Sequence, residues 1–255
     1  MSSNNELLRL ENMSYQYPGS KVMILNNLNM SFKSGEFICV VGPSGCGKST
    51  LLNIIAGYLA PTAGSVIFNG DPVNGPSWHR GVVFQQHTLF PWLNVAENVA
   101  FGLESRGVGK KEIESTVTQI LDRVEMSADH DKYIFEISGG MQQRVQLARV
   151  LANAPEMVLL DEPLGALDAS TRSKMQNFIR KLWSETQSTF LMITHDIDEA
   201  LTLGTRVLVL YKNTLKPFDE ISLDYTHRLL LDQETPVYLD PQYQKIKRQI
   251  HQAFD

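Results

Sequence analysis

The feature that most constrains this chain is a β-prone run, Phe37-Ile38-Cys39-Val40-Val41, that passes directly into Gly42-Pro43-Ser44-Gly45-Cys46-Gly47-Lys48-Ser49. An apolar run of this kind reads as a buried strand entering a turn. The glycines let backbone N–H groups crowd around phosphate oxygens, and the helix that follows presents its positive end to them. Lys48 is expected to reach the β- and γ-phosphates, and the Ser49 hydroxyl to take Mg²⁺. Thr50, next in the chain, joins the nucleotide-binding set. A glycine-rich turn that binds nothing is the competing account. It explains neither the preceding strand nor the apolar Leu51, Leu52, Ile54 and Ile55 that follow. Cys46 occupies a variable position of the pattern, so its thiol is expected to be incidental.

Further apolar runs predict strands at Val82-Val83-Phe84, Met157 to Leu160, Phe190 to Ile193 and Val207 to Leu210. Such runs suit a mainly parallel sheet covered by helices on both faces. The stretch up to Phe32, with Ser65-Val66-Ile67-Phe68, reads instead as a small antiparallel sheet. Helical spacing joins Ile113, Val117, Ile120, Leu121 and Val124, and again Met175, Phe178, Ile179, Leu182 and Trp183. Residues from about 90 to 153 carry almost no strand signal and read as a helical insertion. Tyr243, Ile246, Ile250 and Phe254 predict a last helix packed on its own domain, within a tail of about 211–255. With 255 residues, 43% hydrophobic and 20% charged, the chain suits one α/β domain over 1–255 rather than a disordered one. A net charge of −5 argues against a general nucleic-acid binder. Cys39 and Cys46 make no disulfide framework. The opening residues lack a secretory pattern, and no apolar run approaches membrane-spanning length. A cytosolic chain that reaches a membrane only through a partner is therefore expected.

Met157 to Leu160 ends in Asp161-Glu162. A carboxylate at the end of a central strand lies beside the phosphate loop in doubly wound folds. Asp161 is expected to orient the Mg²⁺ shell, and Glu162 to polarise the water that attacks the γ-phosphate. Alone, an acidic pair there is as readily a solvated turn. Ser138-Gly139-Gly140, within Ile137 to Arg144, sets a hydroxyl and two glycines at a helix start, a second anion site on the same molecule. A serine N-cap with flexible glycines is the ordinary alternative.

Taken in order, these motifs resemble the ATP-binding cassette family, a branch of the P-loop (RecA-like) NTPases, from Leu8 to about Leu210. Ser138, Gly139, Gly140 and Gln142 match its signature motif, although Ile137 and Met141 depart from the commonest form. Gln85 resembles the Q-loop glutamine and joins Ser49 and Asp161 as a metal candidate. Gly165-Ala166-Leu167-Asp168 resembles the D-loop, where Asp168 could equally cap the next helix. His195 resembles the switch histidine that touches the γ-phosphate, and Tyr17 the aromatic that stacks on adenine. Gly75-Pro76, Arg80 to Gln85, Leu89-Phe90-Pro91-Trp92 and Leu182 to Thr186 look like the nitrate, sulfonate and taurine importer subfamily.

The resemblance implies a small N-terminal antiparallel β subdomain and an inserted helical subdomain on that core. It also implies one ATP-hydrolysing nucleotide-binding domain that sandwiches ATP in a head-to-tail homodimer, or with a closely related ATPase. Integral-membrane permease subunits would be its direct partners at the cytoplasmic face of the inner membrane, and an extracytoplasmic solute-binding protein an indirect one. Taurine or another aliphatic sulfonate is the expected solute, with nitrate, bicarbonate and vitamin or pyrimidine precursors as alternatives. The apolar stretch His87 to Trp92 is expected to dock the permease, unless Leu89, Phe90 and Trp92 seed the helical core. Two other classes compete. A P-loop kinase or GTPase is opposed by the signature motif and by the lack of an Asn-Lys-x-Asp motif. A cassette ATPase of translation or DNA maintenance is opposed by the single cassette and absent heptads.

Overall fold

The computed structural model describes residues 6–86, 88–165, 167–212 and 218–254. Two strands, β1 (Glu6–Gln16) and β2 (Met23–Lys33), pair antiparallel and turn Leu8, Leu10, Leu28, Met30 and Phe32 inward. β3 (Phe37–Val41) follows and is buried along its whole length. α1 (Lys48–Ala56) begins at Gly47, and β4 (Ala63–Phe68) returns to pair antiparallel with β1. The short β5 (Asp71–Pro72) completes a sheet of order β2-β1-β4-β5.

β6 (Arg80–Val83) leads into α2 (Val95–Ser105), α3 (Lys110–Arg123) and α4 (Gly139–Leu151) before β7 (Met157–Asp161). Next come α5 (Ala169–Glu185), β8 (Thr189–Ile193), α6 (Ile197–Leu203), β9 (Arg206–Leu210) and β10 (Phe218–Ser222). α7 (Tyr225–Leu231) and α8 (Pro241–Gln252) follow. The larger sheet has order β10-β9-β3-β8-β7-β6 and is parallel except for the β9–β10 pair. This is the α/β class, with a mainly parallel sheet and an antiparallel companion, that the apolar runs predict.

The buried runs are continuous because both faces of the larger sheet are covered. From β3, Phe37, Cys39 and Val41 enter the core shared with α2 to α8, whereas Ile38 and Val40 face α1 and the smaller sheet. α2 is started by a capping box: Glu97 N–H donates to Asn94 Oδ1 and Asn94 N–H to Glu97 Oε2, both at 2.8 Å. Buried Asn98 accepts from Phe90 N–H and donates to the Phe90 and Leu93 carbonyls, which fixes the chain ahead of the helix. Three details differ from the sequence expectation. β6 stops at Val83, so Phe84 lies beyond it, and Val124 closes α3 from just outside, still buried. β10 and α7 carry no clear apolar period and emerge only from packing.

Candidate active site

The register sets Val40 of β3 and Asp161 of β7 both against Ile193 of β8. Whatever follows these strands therefore meets at one edge of the sheet, where open α/β folds bind ligands.

After β3 comes the phosphate loop. Gly45 and Gly47 have φ of 78° and 104°, a left-handed backbone open to glycine. A Cβ at Gly47 would lie 2.6 Å from Leu25 Cδ2, and one at Gly42 2.6 Å from the Leu210 carbonyl oxygen. Side chains at either position would force the loop off its neighbours. Lys48 Nζ curls back to donate to the carbonyls of Gly42 at 2.8 Å and Pro43 at 3.2 Å, so its charge sits over the loop itself. Ser44 belongs to the same loop, and Cys46 is buried, which pushes its thiol up and leaves it a poor nucleophile. Tyr17 Oη lies 2.9 Å from Thr50 Oγ1, so the half-exposed ring stands beside the start of α1.

After β7 come the carboxylates. Ser49 Oγ donates to Asp161 Oδ1 at 3.4 Å. Burial first, and then the charge of Glu162, push the Asp161 carboxyl up, while Ser49 and Lys48 oppose the shift. Glu162 has a left-handed backbone, φ 45°, and its N–H donates to the Ile193 carbonyl at 3.0 Å. That turn aims its side chain at two neighbours. Gln85 Nε2 donates to Glu162 Oε2 at 3.3 Å, and His195 Nδ1 lies 3.3 Å from the same oxygen. The segments after β6, β7 and β8 thus converge on one carboxylate. Ser49 and Asp161 pair hard oxygen donors of the kind Mg²⁺ takes, and Gln85, hydrogen-bonded to the neighbouring Glu162, carries an amide oxygen at the same sheet edge. The raised Asp161 carboxyl reflects a partly buried charge beside Glu162 that a cation there would offset.

The signature residues lie elsewhere. Ser138 caps α4 and accepts from Met141 N–H at 3.4 Å, and the space beside Gly139 is open. Ser138 and Gly140 line a cleft of about 340 Å³ with Glu125, Arg144, Thr171 and Lys174; Lys48, Ser49, Asp161 and Glu162 are not in its wall. Gln142 turns to its own loop, donating to the carbonyls of Ile134 and Ile137. Asp168 caps α5 by accepting from the N–H groups of Ser170 and Thr171, and the Thr171 side chain first, then these N–H groups, hold its carboxyl below the usual range. His87 and Ala166 lie outside the described residues. Of the apolar stretch, Leu89 is core, Phe90 is half-buried against Phe101, and Trp92 is 70% exposed.

Sequence reasoning passes over Arg172. Its Nη2 donates to the Leu167 carbonyl at 3.1 Å, and its guanidinium lies 3.9 Å from Asp196 and 3.7 Å from Glu199. It thereby ties the loop after β7 to the loop after β8, and nothing in its local sequence signals this.

The ABC transporter family profile matches residues 25–165. The taurine import ATP-binding protein TauB of Roseobacter denitrificans is 48% identical over 227 residues, covering 85% of each chain. Its namesake from Ruegeria pomeroyi is 50% identical over 221 residues, 86% of this chain and 82% of that protein. A solved dimer in a post-hydrolysis state, the ATP-binding cassette MJ0796 bound to ADP and Pi, superposes with a TM-score of 0.72 at 33% identity, covering 85% of this chain and 99% of that one.

Proposed function

The chain belongs to the ABC transporter family, and from that premise we propose that it is the ATP-hydrolysing subunit of an importer for taurine or another aliphatic sulfonate. The observation that carries the chemistry is the Glu162 carboxylate, 3.3 Å from both Gln85 and His195 at the sheet edge that holds Lys48, Ser49 and Asp161. Lys48 and the loop N–H groups of Gly42, Ser44, Gly45, Cys46, Gly47, Ser49 and Thr50 bind the phosphates, Pro43 shapes the loop without donating, and Tyr17 holds the adenine. Ser49, Asp161 and Gln85 would hold Mg²⁺, which supplies charge neutralisation at the β- and γ-phosphates when bound. Glu162 accepts the proton of the attacking water, Gln85 orients that water, and His195 senses the γ-phosphate from the loop after β8.

Because Ser138 and Gly140 line a cleft of their own, with Gly139 between them facing open space, the signature half of each site comes from a second copy or a closely related ATPase, with Gln142 and Asp168 at that junction. The MJ0796 dimer supports this arrangement. No described helix is long and apolar enough to cross a membrane. In this reading the chain sits peripherally on the cytoplasmic face of the inner membrane, bound to a permease and served indirectly by an extracytoplasmic binding protein. A groove of about 480 Å³ lined by Trp78, Phe84, Phe90, Phe101, Arg106 and Arg149 suits the permease contact. Arg149 donates to the Thr88 carbonyl at 2.9 Å, linking the groove to the segment after Gln85. The solute assignment rests on the names of the relatives.

The test is uptake of labelled taurine, an alkanesulfonate and nitrate in a strain lacking this chain, complemented with the native chain or with Lys48→Ala. Sulfonate uptake restored by the native chain alone supports the reading. Unchanged sulfonate uptake in the deletion, or loss of nitrate uptake only, overturns the solute assignment.

A further inference from the structure

The C-terminal segment makes a contact that burial of its apolar face does not require. α8 turns Tyr243, Ile246 and Ile250 into the core. From the same side it sends two polar groups to one carboxylate on α6. Tyr243 Oη donates to Asp198 Oδ1 at 2.7 Å, and Lys247 Nζ donates to Asp198 Oδ2 at 2.7 Å. The ion pair with Lys247 is partly exposed and weak by itself. The Tyr243 hydroxyl is different, because the residue is only 1% exposed. Burial and the adjacent Asp198 charge push its pKa far up, so it remains a donor throughout the working pH range.

Asp198 stands in the first turn of α6. Its N–H donates to Asp196 Oδ1 at 2.8 Å, and the Glu199 N–H donates to the same oxygen at 3.1 Å. Asp196 is the neighbour of His195. A short path therefore runs from α8 through the Asp198 side chain and backbone to the residue beside the histidine. On its other flank the start of α6 is held by Arg172 and by Thr194, whose Oγ1 donates to Glu199 Oε2 at 2.6 Å.

We infer that α8 positions the switch histidine: Tyr243 and Lys247, acting through Asp198, hold the start of α6 so that His195 stays against Glu162. Both are positioning residues and neither touches the reacting atoms. The inference rests on reading Glu162 and His195 as parts of the hydrolytic site.

The experiment uses the full chain with Tyr243→Phe, the double variant Tyr243→Phe/Lys247→Met, and Lys245→Met as a control on the exposed side of α8. Amide hydrogen exchange is followed without nucleotide, and kcat and KM with MgATP. Tyr243→Phe keeps the buried ring, so the fold is retained, which a melting curve checks. The amides of Asp198 and Glu199 should exchange about tenfold faster in the double variant. Its kcat should fall about three- to tenfold while KM stays within about twofold. Lys245→Met should match the native chain. In an Asp198→Ala background the tail substitutions should change kcat no further. Unchanged exchange, faster exchange with unchanged kcat, or an equal loss in the Asp198→Ala background overturns the inference. A native chain without ATPase activity would count against the proposed function, while the exchange arm still decides whether α8 holds the start of α6.

Discussion

Glu162 holds a left-handed backbone that costs a non-glycine residue on the order of 1 kcal/mol, and the fold keeps it there by bonding its N–H to β8. The strain aims the carboxylate at the sheet edge. Glu162→Gln retains the shape and both neighbours but cannot take a proton. Its hydrolysis should fall by about 10²–10⁴-fold with nucleotide affinity retained, as a filter-binding assay beside a phosphate-release assay will report. Asp161 leads to a prediction of opposite sign for stability. Its carboxyl binds a proton more tightly in the folded chain than in the unfolded one. Folding stability is therefore lost as pH rises from the ordinary Asp value through the raised folded value, and the full cost is present above it. Asp161→Asn removes that cost. The nucleotide-free variant should melt higher than the native chain at pH 7, the gap should close in acid, and Mg²⁺-dependent hydrolysis should disappear. Scanning calorimetry at both pH values checks the sign.

At the scale of elements, the connection from β6 to α2 divides its apolar residues between two tasks. Leu89 is buried among the helices, so Leu89→Ala should destabilise the chain by roughly 2–4 kcal/mol in a denaturant titration. Trp92 is largely exposed, so Trp92→Ala should change stability by no more than about 0.5 kcal/mol. It should nevertheless weaken association with the permease and abolish transport while nucleotide binding by the isolated chain survives; co-purification and uptake assays read the two effects. The sequence reading could not make that division, because Leu89 and Trp92 are equally apolar and only tertiary packing separates them. β3, β7, β8 and β9 were legible because a strand covered on both faces must be apolar without interruption. β10 was not, since Phe218-Asp219-Glu220-Ile221-Ser222 is an edge strand bearing charges and exists by pairing with β9. The phosphate loop was legible because its chemistry is local. The meeting of Gln85, Glu162 and His195 was not, because partners 77 and 33 residues apart are joined only by strand order. The roles of Gln85 and His195 could be anticipated only from resemblance, whereas that of Glu162 follows also from its place at the end of an apolar strand.

At the scale of the whole molecule, the proposed function makes the loop after β3 and the cleft around Ser138, which do not share walls, two kinds of half-site per chain. Lys48→Ala damages one kind and Ser138→Arg the other. In a mixture of the two variants, both lesions can fall in one composite site, so part of the ATPase activity should return on mixing. Absence of any recovery across mixing ratios would argue against head-to-tail pairing. The native rate per chain should also rise with protein concentration, and a strictly constant specific activity down to nanomolar dilution would mark a self-contained monomer. The strand order has one further consequence, for the chain as it leaves the ribosome. β3 lies between β8 and β9, so the strand that carries the phosphate loop is made early and finds both neighbours only after Leu210 has emerged. Such distant pairing is slow and leaves apolar edges open while synthesis continues. Nascent chains stalled before β9 should thus remain protease-sensitive and unable to retain ATP, however complete their phosphate loop, and the hazard of misfolding falls on the interval between making that loop and closing the sheet around it.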